Sequence, residues 1–207
     1  MKKIHFILLV VFILFSQFKV SSQIDSTRKV FVGFTAGMSF FGPSGVNNKL
    51  KELIGDVDIQ SGFSEIVMNV NGSFSIIYKI NERVDFSGIF DIAIAPKVLT
   101  IYNTGETSTF SFNRFSPGAM CNIYFGNEKN SKFVMGAGVL YNFMNFEGYT
   151  GSGFSLRLQA GQNFKMGSVI VKCLGVINLM PPVNGNNQGD IIQLNYTDIG
   201  ACLGIEF

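Results

Sequence analysis

The stretch Asp190–Phe207, DIIQLNYTDIGACLGIEF, decides the fold. Counted back by twos from the last residue, Phe207, Ile205, Leu203, Ala201 and Ile199 fall on one side. Glu206, Gly204, Cys202, Gly200 and Asp198 fall on the other. A period of two marks a strand with two unlike faces. The greasy face continues to the terminal phenylalanine, where a chain end in water usually frays. Such a strand suits the closing edge of a transmembrane β-barrel.

Seven segments upstream alternate in the same way: 30–41, 63–80, 84–101, 107–125, 132–146, 154–164 and 168–180. In the first, Val32, Phe34, Ala36, Met38 and Phe40 oppose Gly33, Thr35, Gly37 and Ser39. In the second, Ile66 is expected on the apolar side with Met68, Val70 and Phe74. With the closing strand the count is eight. The expected fold is all-β, an eight-stranded antiparallel up-and-down transmembrane β-barrel. Parity then puts loops 42–62, 103–106, 147–153 and 181–190 outside and turns 81–83, 126–131 and 165–167 on the periplasmic side. The periplasmic set is mostly the shorter, as in outer-membrane barrels.

Finer expectations attach to single residues. NNKLKELIG, residues 47–55, predicts a short helix with Leu50, Leu53 and Ile54 on one side, Asn47 or Asn48 as cap and Gly55 as stop. Pro96 and Pro117 lack an N–H and are expected at bulges or, for Pro96, the rim. Tyr78, Tyr124, Phe125, Tyr141 and Tyr149 fall near strand ends and are expected to form interface girdles.

Composition agrees with a membrane barrel. Hydrophobic residues are 47% and charged ones 14%, against about 25% charged in ordinary soluble domains. Past the N-terminal region no apolar run approaches the ~20 residues of a membrane helix. Residues 1–22 read as an export signal: Lys2 and Lys3, the apolar run Ile4–Phe15, then Val20, Ser21 and Ser22 before a cleavage point near Gln23. Residues 23–207 then form one outer-membrane barrel domain. The signal holds three lysines and no acid, so removing it takes the formal charge from +2 to −1. That gives no electrostatic case for nucleic-acid binding.

The inner face inferred from parity carries the acids Glu65, Asp85, Asp91, Asp198 and Glu206 and the bases Lys79, Lys97, Arg114, Arg157 and Lys172. A Lys or Arg facing lipid at the midplane costs about 2–4 kcal/mol. Inside, these side chains can pair. Eight strands make a barrel just wide enough to be filled by side chains. The expectation is a packed, charge-neutral lumen.

Chemistry is scarce. The only histidine is His5, inside the expected signal, so the mature chain lacks a His-based triad or ligand. Asp85 with Asp91 is a conceivable acid–base pair, and Asp56 with Asp58 a conceivable calcium site, but structural carboxylates and a solvated loop are the expected readings. Gly136 and Gly138 sit within a strand and are expected to relieve crowding, not to hold a nucleotide. Cys121, Cys173 and Cys202 are odd in number and could bridge only from adjacent strands on one face. No catalytic residue, metal or cofactor is expected.

The signal, the GFTAG at 33–37, the glycine-aromatic strands and the terminal Phe207 together resemble the small outer-membrane barrels of Bacteroidetes-type bacteria, including the PorT-like family. The resemblance implies an outer-membrane location and an eight-stranded barrel, and supplies no catalytic residues. The expected role is a non-enzymatic barrel, structural or displaying loops to a partner. The alternative is a barrel that binds or transports a small apolar ligand, with Gly33, Gly37, Gly136 and Gly138 leaving room for it. Expected partners are outer-membrane lipid, the barrel-assembly machinery and other envelope or secretion proteins.

Overall fold

A computed structural model describes residues 29–54, 66–100, 107–126 and 130–207. Its strands are β1 (Val30–Phe41), β2 (Met68–Lys79), β3 (Val84–Thr100), β4 (Thr107–Phe125), β5 (Ser131–Phe146), β6 (Tyr149–Met166), β7 (Val169–Leu179), β8 (Val183–Asn187), β9 (Asp190–Leu194) and β10 (Asp198–Glu206). One helix, α1 (Ser44–Ile54), follows β1. Strands β1 to β7 pair in sequence order, β7 pairs β10, and β10 returns to β1, all antiparallel. The eight strands therefore close, which removes the unpaired edges that a sheet in lipid cannot keep. Phe207 does not fray, because its N–H and C=O exchange 3.0 Å bonds with Val32.

Alternation sorts the faces as the sequence predicts. Ile199 and Leu203 point outward, 59% and 65% exposed, while Asp198 and Glu206 are buried inside. Among the described residues, the outward positions of the eight barrel strands, from Val32 and Phe34 on β1 to Leu203 on β10 and Phe207 just after it, carry no charge. Of the residues expected at the interfaces, Tyr78 and Phe125 stand exposed near strand ends, Phe125 against Phe133. Other aromatic side chains form a ribbon across the strands, Phe207–Phe34–Phe74–Phe90–Phe115–Phe143–Tyr141–Phe154, with successive centroids 4.9–6.4 Å apart. Most partners are direct cross-strand neighbours, such as Phe34 with Phe74 and Phe115 with Phe143, the pairs from which sheets gain stability.

Several expectations are corrected. Asp190–Phe207 is two strands, β9 and β10, separated at 195–197. The 181–190 loop contains β8, which forms a hairpin with β9 around Gln188 and Gly189, both at positive φ. The expected 147–153 loop is a two-residue turn, Glu147–Gly148, also at positive φ, and β6 starts at Tyr149. Such turns match strand twist and need residues that tolerate the left-handed region. Pro117 makes no bulge: Phe115 pairs Phe143 and Gly118 pairs Leu140, so the register across it is unchanged. Ile66 lies before β2, buried among the interior residues, not outside. The helix begins earlier than expected, and Asn47 lies within it; its side-chain amide bonds both the N–H and the C=O of Ile66, at 2.8 and 3.1 Å. Tyr124 and Tyr149 are buried, not members of a girdle. The signal region, Gly55, Asp56, Asp58 and the 103–106 loop lie outside the described residues.

Candidate functional site

The interior is layered along the barrel axis. Strand direction sets the order: β3 enters at Asp85 and climbs through Asp91 to Ala93 and Ala95, while β10 descends from Asp198 to Glu206. The end that carries Val30 and Phe207 is the near end, and the end that carries α1 and β8–β9 is the far end.

The near tier is built by β2, β3, β4, β7 and β10. Glu206, fully buried, lies between Lys79 Nζ at 2.8 Å and Lys172 Nζ at 2.7 Å. Asp85 accepts from Asn122 Nδ2 at 2.7 Å and from the Tyr124 hydroxyl. Asn122 in turn accepts from Gln159 Nε2 at 2.8 Å. The Lys79 ammonium also stands 4.0 Å over the Phe31 ring. Apolar side chains come next: Ile89, Met120 and Leu140 in one group, Val134, Leu174, Val176 and Cys202 in another.

The second tier centres on Asp91. Its two oxygens take Arg114 and Arg157, the latter at 2.8 Å. Asp198 accepts from Asn178 Nδ2 at 2.6 Å and lies 3.9 Å from Arg114 Nη1. Ser39, Asn69, Ser116, Asn142 and Ser155 fill the remaining space with hydrogen bonds. The cavity beside Asp91, Arg157 and Asp198 is about 10 Å³, room for about one water.

The far end is a cap. Phe41, Val46, Leu50, Phe112, Phe146 and Tyr196 are buried together there with residues of β3, β5, β6 and β9. Arg114 meets the cap through its guanidinium, 3.9 Å from the Tyr196 ring centroid, a cation–π contact. Helix α1 lies so close to β9 that a Cβ on Gly45 would stand 2.0 Å from Gln193 O. A polar latch holds the same junction: Lys49 Nζ reaches Asp190 at 2.7 Å and Glu52 at 2.8 Å, and the Tyr149 hydroxyl donates to Asp190 at 2.5 Å. These bonds hold the Asp190 carboxyl below its ordinary pKa and raise that of Lys49.

Of the ten ionic residues singled out from parity, the structure brings eight into the lumen: Lys79, Asp85, Asp91, Arg114, Arg157, Lys172, Asp198 and Glu206. Four acids meet four bases. Glu65 and the side chain of Lys97 lie outside what is described. Asp85 and Asp91 belong to different tiers with different partners and do not form a pair. Gly37 leaves no ligand space, since a Cβ there would sit 2.2 Å from Ala201 O; at Gly136 it would sit 2.1 Å from Asn122 Oδ1. Cys173 faces outward on β7 and Cys202 inward on β10, so no bridge joins them. Among the described residues no group of three or more His, Cys, Asp or Glu is placed to hold a metal. The partners Asn122, Tyr124 and Asn178 were readable from their inward parity, whereas nothing local marks Tyr196 or Leu194 as cap residues.

No family model matches the chain, and no curated protein matches it. Among solved structures it is similar to neisserial surface protein A, with a TM-score of 0.57 at 15% identity, covering 86% of this chain and 95% of that one. The N-terminal β-barrel domain of Pseudomonas aeruginosa OprF aligns at a TM-score of 0.44 and 11% identity, over 87% of this chain and 97% of that one. Outer Membrane Protein W of E. coli aligns at 0.43 and 15%, over 88% and 100%. The first of these likenesses supports the fold, a small closed barrel; the other two scores are too low to argue from.

Proposed function

We propose that this chain is an exported, non-enzymatic outer-membrane barrel of the PorT-like, Bacteroidetes type, whose far end is a built cap displayed to a partner. The observation that carries the reading is the sorting of charge. The outward positions of the described barrel strands are uncharged, while seven ionic side chains meet as pairs inside and Asp85 is held there by Asn122 and Tyr124. In water that arrangement wastes solvation; in a bilayer it is what the medium demands. The expected signal supplies export and cleavage near Ser22/Gln23, and the barrel-assembly machinery and outer-membrane lipid are its first partners. Other envelope or secretion proteins are candidates for the cap. Buried pairs lend little net stability, because desolvation offsets attraction, but they close the bore: two ionic tiers, apolar layers and the cap leave about 10 Å³ beside Asp91.

Fractionation tests the reading. The protein is expected in the outer membrane, migrating faster on a gel when unheated than when boiled. Recovery as a soluble periplasmic protein overturns it. In planar bilayers it is expected not to conduct. Crosslinking in intact outer membranes, through cysteines placed on α1 and the β8–β9 turn, identifies the partner. A lumenal carrier of small apolar ligands is the weaker reading, because the inner glycines are already crowded by neighbouring strands.

A further inference from the structure

The barrel wall is interrupted at one seam. Strand β6 runs to Tyr149, but its ladder with β7 starts only at Leu156 and Leu179. Beyond that point the next partner on this side is a single bridge, Thr150 to Asn186 of β8. Residues 151–155 of β6 therefore have no ladder partner on β7; β8 lies beside Gly151 and Gly153 instead. Pro181 and Pro182 follow β7 after Met180 and have no N–H to continue the ladder. Side chains back the gap from within: a Cβ on Gly153 would meet Val183 Cγ1 at 2.7 Å and Met180 Cε at 3.1 Å.

Outside the seam lies a groove of about 520 Å³ lined by Val139, Phe154, Leu156, Leu179 and Pro181, with Ser155, Met180 and Thr197. Its size falls in the range of ~300–1,000 Å³ typical of small-molecule sites. The two hydroxyls at the groove are already engaged. Ser155 Oγ accepts from Asn142 Nδ2 at 2.9 Å, and Thr197 Oγ1 accepts from Met180 N and donates to Met180 O, both at 3.2 Å. No residue lining the groove is charged.

We propose that this seam is a seat for one acyl chain of a membrane phospholipid, lying along the β6–β7 gap with Met180 and Val183 as its floor. The proposal rests on the outward face being lipid-facing, and the groove is continuous with that face. The chain has no tryptophan, so a single introduced tryptophan reports without background. Phe154→Trp places it in the groove, and Phe90→Trp places it on the outward face of β3, away from the seam. Each variant is reconstituted in phospholipid vesicles containing increasing fractions of a phospholipid brominated on its acyl chain, after its heat-modifiable migration confirms folding.

The expected result is half-quenching of Phe154→Trp at a several-fold lower brominated fraction than Phe90→Trp. Adding Val139→Phe, which fills the groove, is expected to bring the two curves together. Identical curves for the two single variants overturn the seat and leave the lipid-facing reading intact. A Phe154→Trp response that Val139→Phe does not alter also overturns it. Absence of quenching in both variants overturns the lipid-facing reading with it.

Discussion

The near and far halves of the barrel interior solve the problem of filling a bore in opposite ways. The near half and middle are ionic: Glu206 between two lysines, Asp91 between two arginines, amides and hydroxyls closing the network. The far half is rings and aliphatic side chains, with Phe112, Phe146, Leu50 and Leu194 fully buried or nearly so. The first half is assembled entirely by strands that pair in the closed barrel. The second recruits a helix, a hairpin and Ile66 from the connections. The difference teaches that closing the barrel and closing its mouth are separate folding problems, joined where Arg114 stacks on Tyr196.

The largest effect should follow from breaking the ionic half. Asp91→Leu leaves two buried guanidinium groups without their shared carboxylate, and removing one partner of a buried pair costs about 3–5 kcal/mol. Urea unfolding in detergent micelles, read by the loss of the fast-migrating gel form, should show a lower midpoint. If only protease sensitivity at the far end changed, the two halves would not be separable in the way their construction suggests. The complementary variant is Leu50→Ala, which empties a fully buried site of the cap at about 3 kcal/mol. Its expected signature is faster cleavage within α1 and the β8–β9 turn, with the barrel's urea midpoint little moved.

A smaller and sharper test is Gly45→Ala. The added methyl meets the backbone oxygen of Gln193, not the end of a flexible side chain, so α1 or β9 has to move. Overpacking of this kind costs about 1–3 kcal/mol. Limited proteolysis should place the change in the same segments as Leu50→Ala but with a smaller rate increase.

How far sequence reasoning reached divides along the same line. Period-two alternation is a local property, and it sorted Asp85, Asp91 and Glu206 to the inside because each sits between outward apolar neighbours, and Arg114 because it precedes Phe115. It also placed Ile199, Leu203 and Phe207 outside. It read Ile66 as one more outward residue, because parity continues on paper upstream of Met68, where β2 begins. Tyr124 was drawn toward the interface by residue type although its parity pointed inward, and Tyr149 because it was read as part of a loop, where no parity applies. The β8–β9 hairpin hid in a run of turn formers, since NGNNQGD holds most of β8, the turn and the first residue of β9. Cap contacts such as Lys49 with Asp190 join residues 141 apart, and no local pattern carries that information.

The smallest expected effect concerns the latch of the cap. Asp190 has its pKa lowered first by the bond from Lys49 and then by that from Tyr149. A depressed carboxyl pKa contributes stability that is present above its unfolded value, about 3.9, and is lost as pH falls through the folded value. Lys49 is raised by Asp190 first, then Glu52. Its contribution is present below the unfolded value, about 10.4, and is lost as pH rises through the folded one. The groups facing one another here are Lys49 and Glu52 on α1, Tyr149 on β6 and Asp190 on β9. Protease resistance of the cap should therefore be flat across neutral pH, with an acid loss below about pH 4 and an alkaline loss well above neutrality. Asp190→Asn should abolish most of the acid arm and weaken the alkaline one, since Glu52 still faces Lys49. An acid loss that persists unchanged in Asp190→Asn would mean that the cap is held by its apolar packing alone.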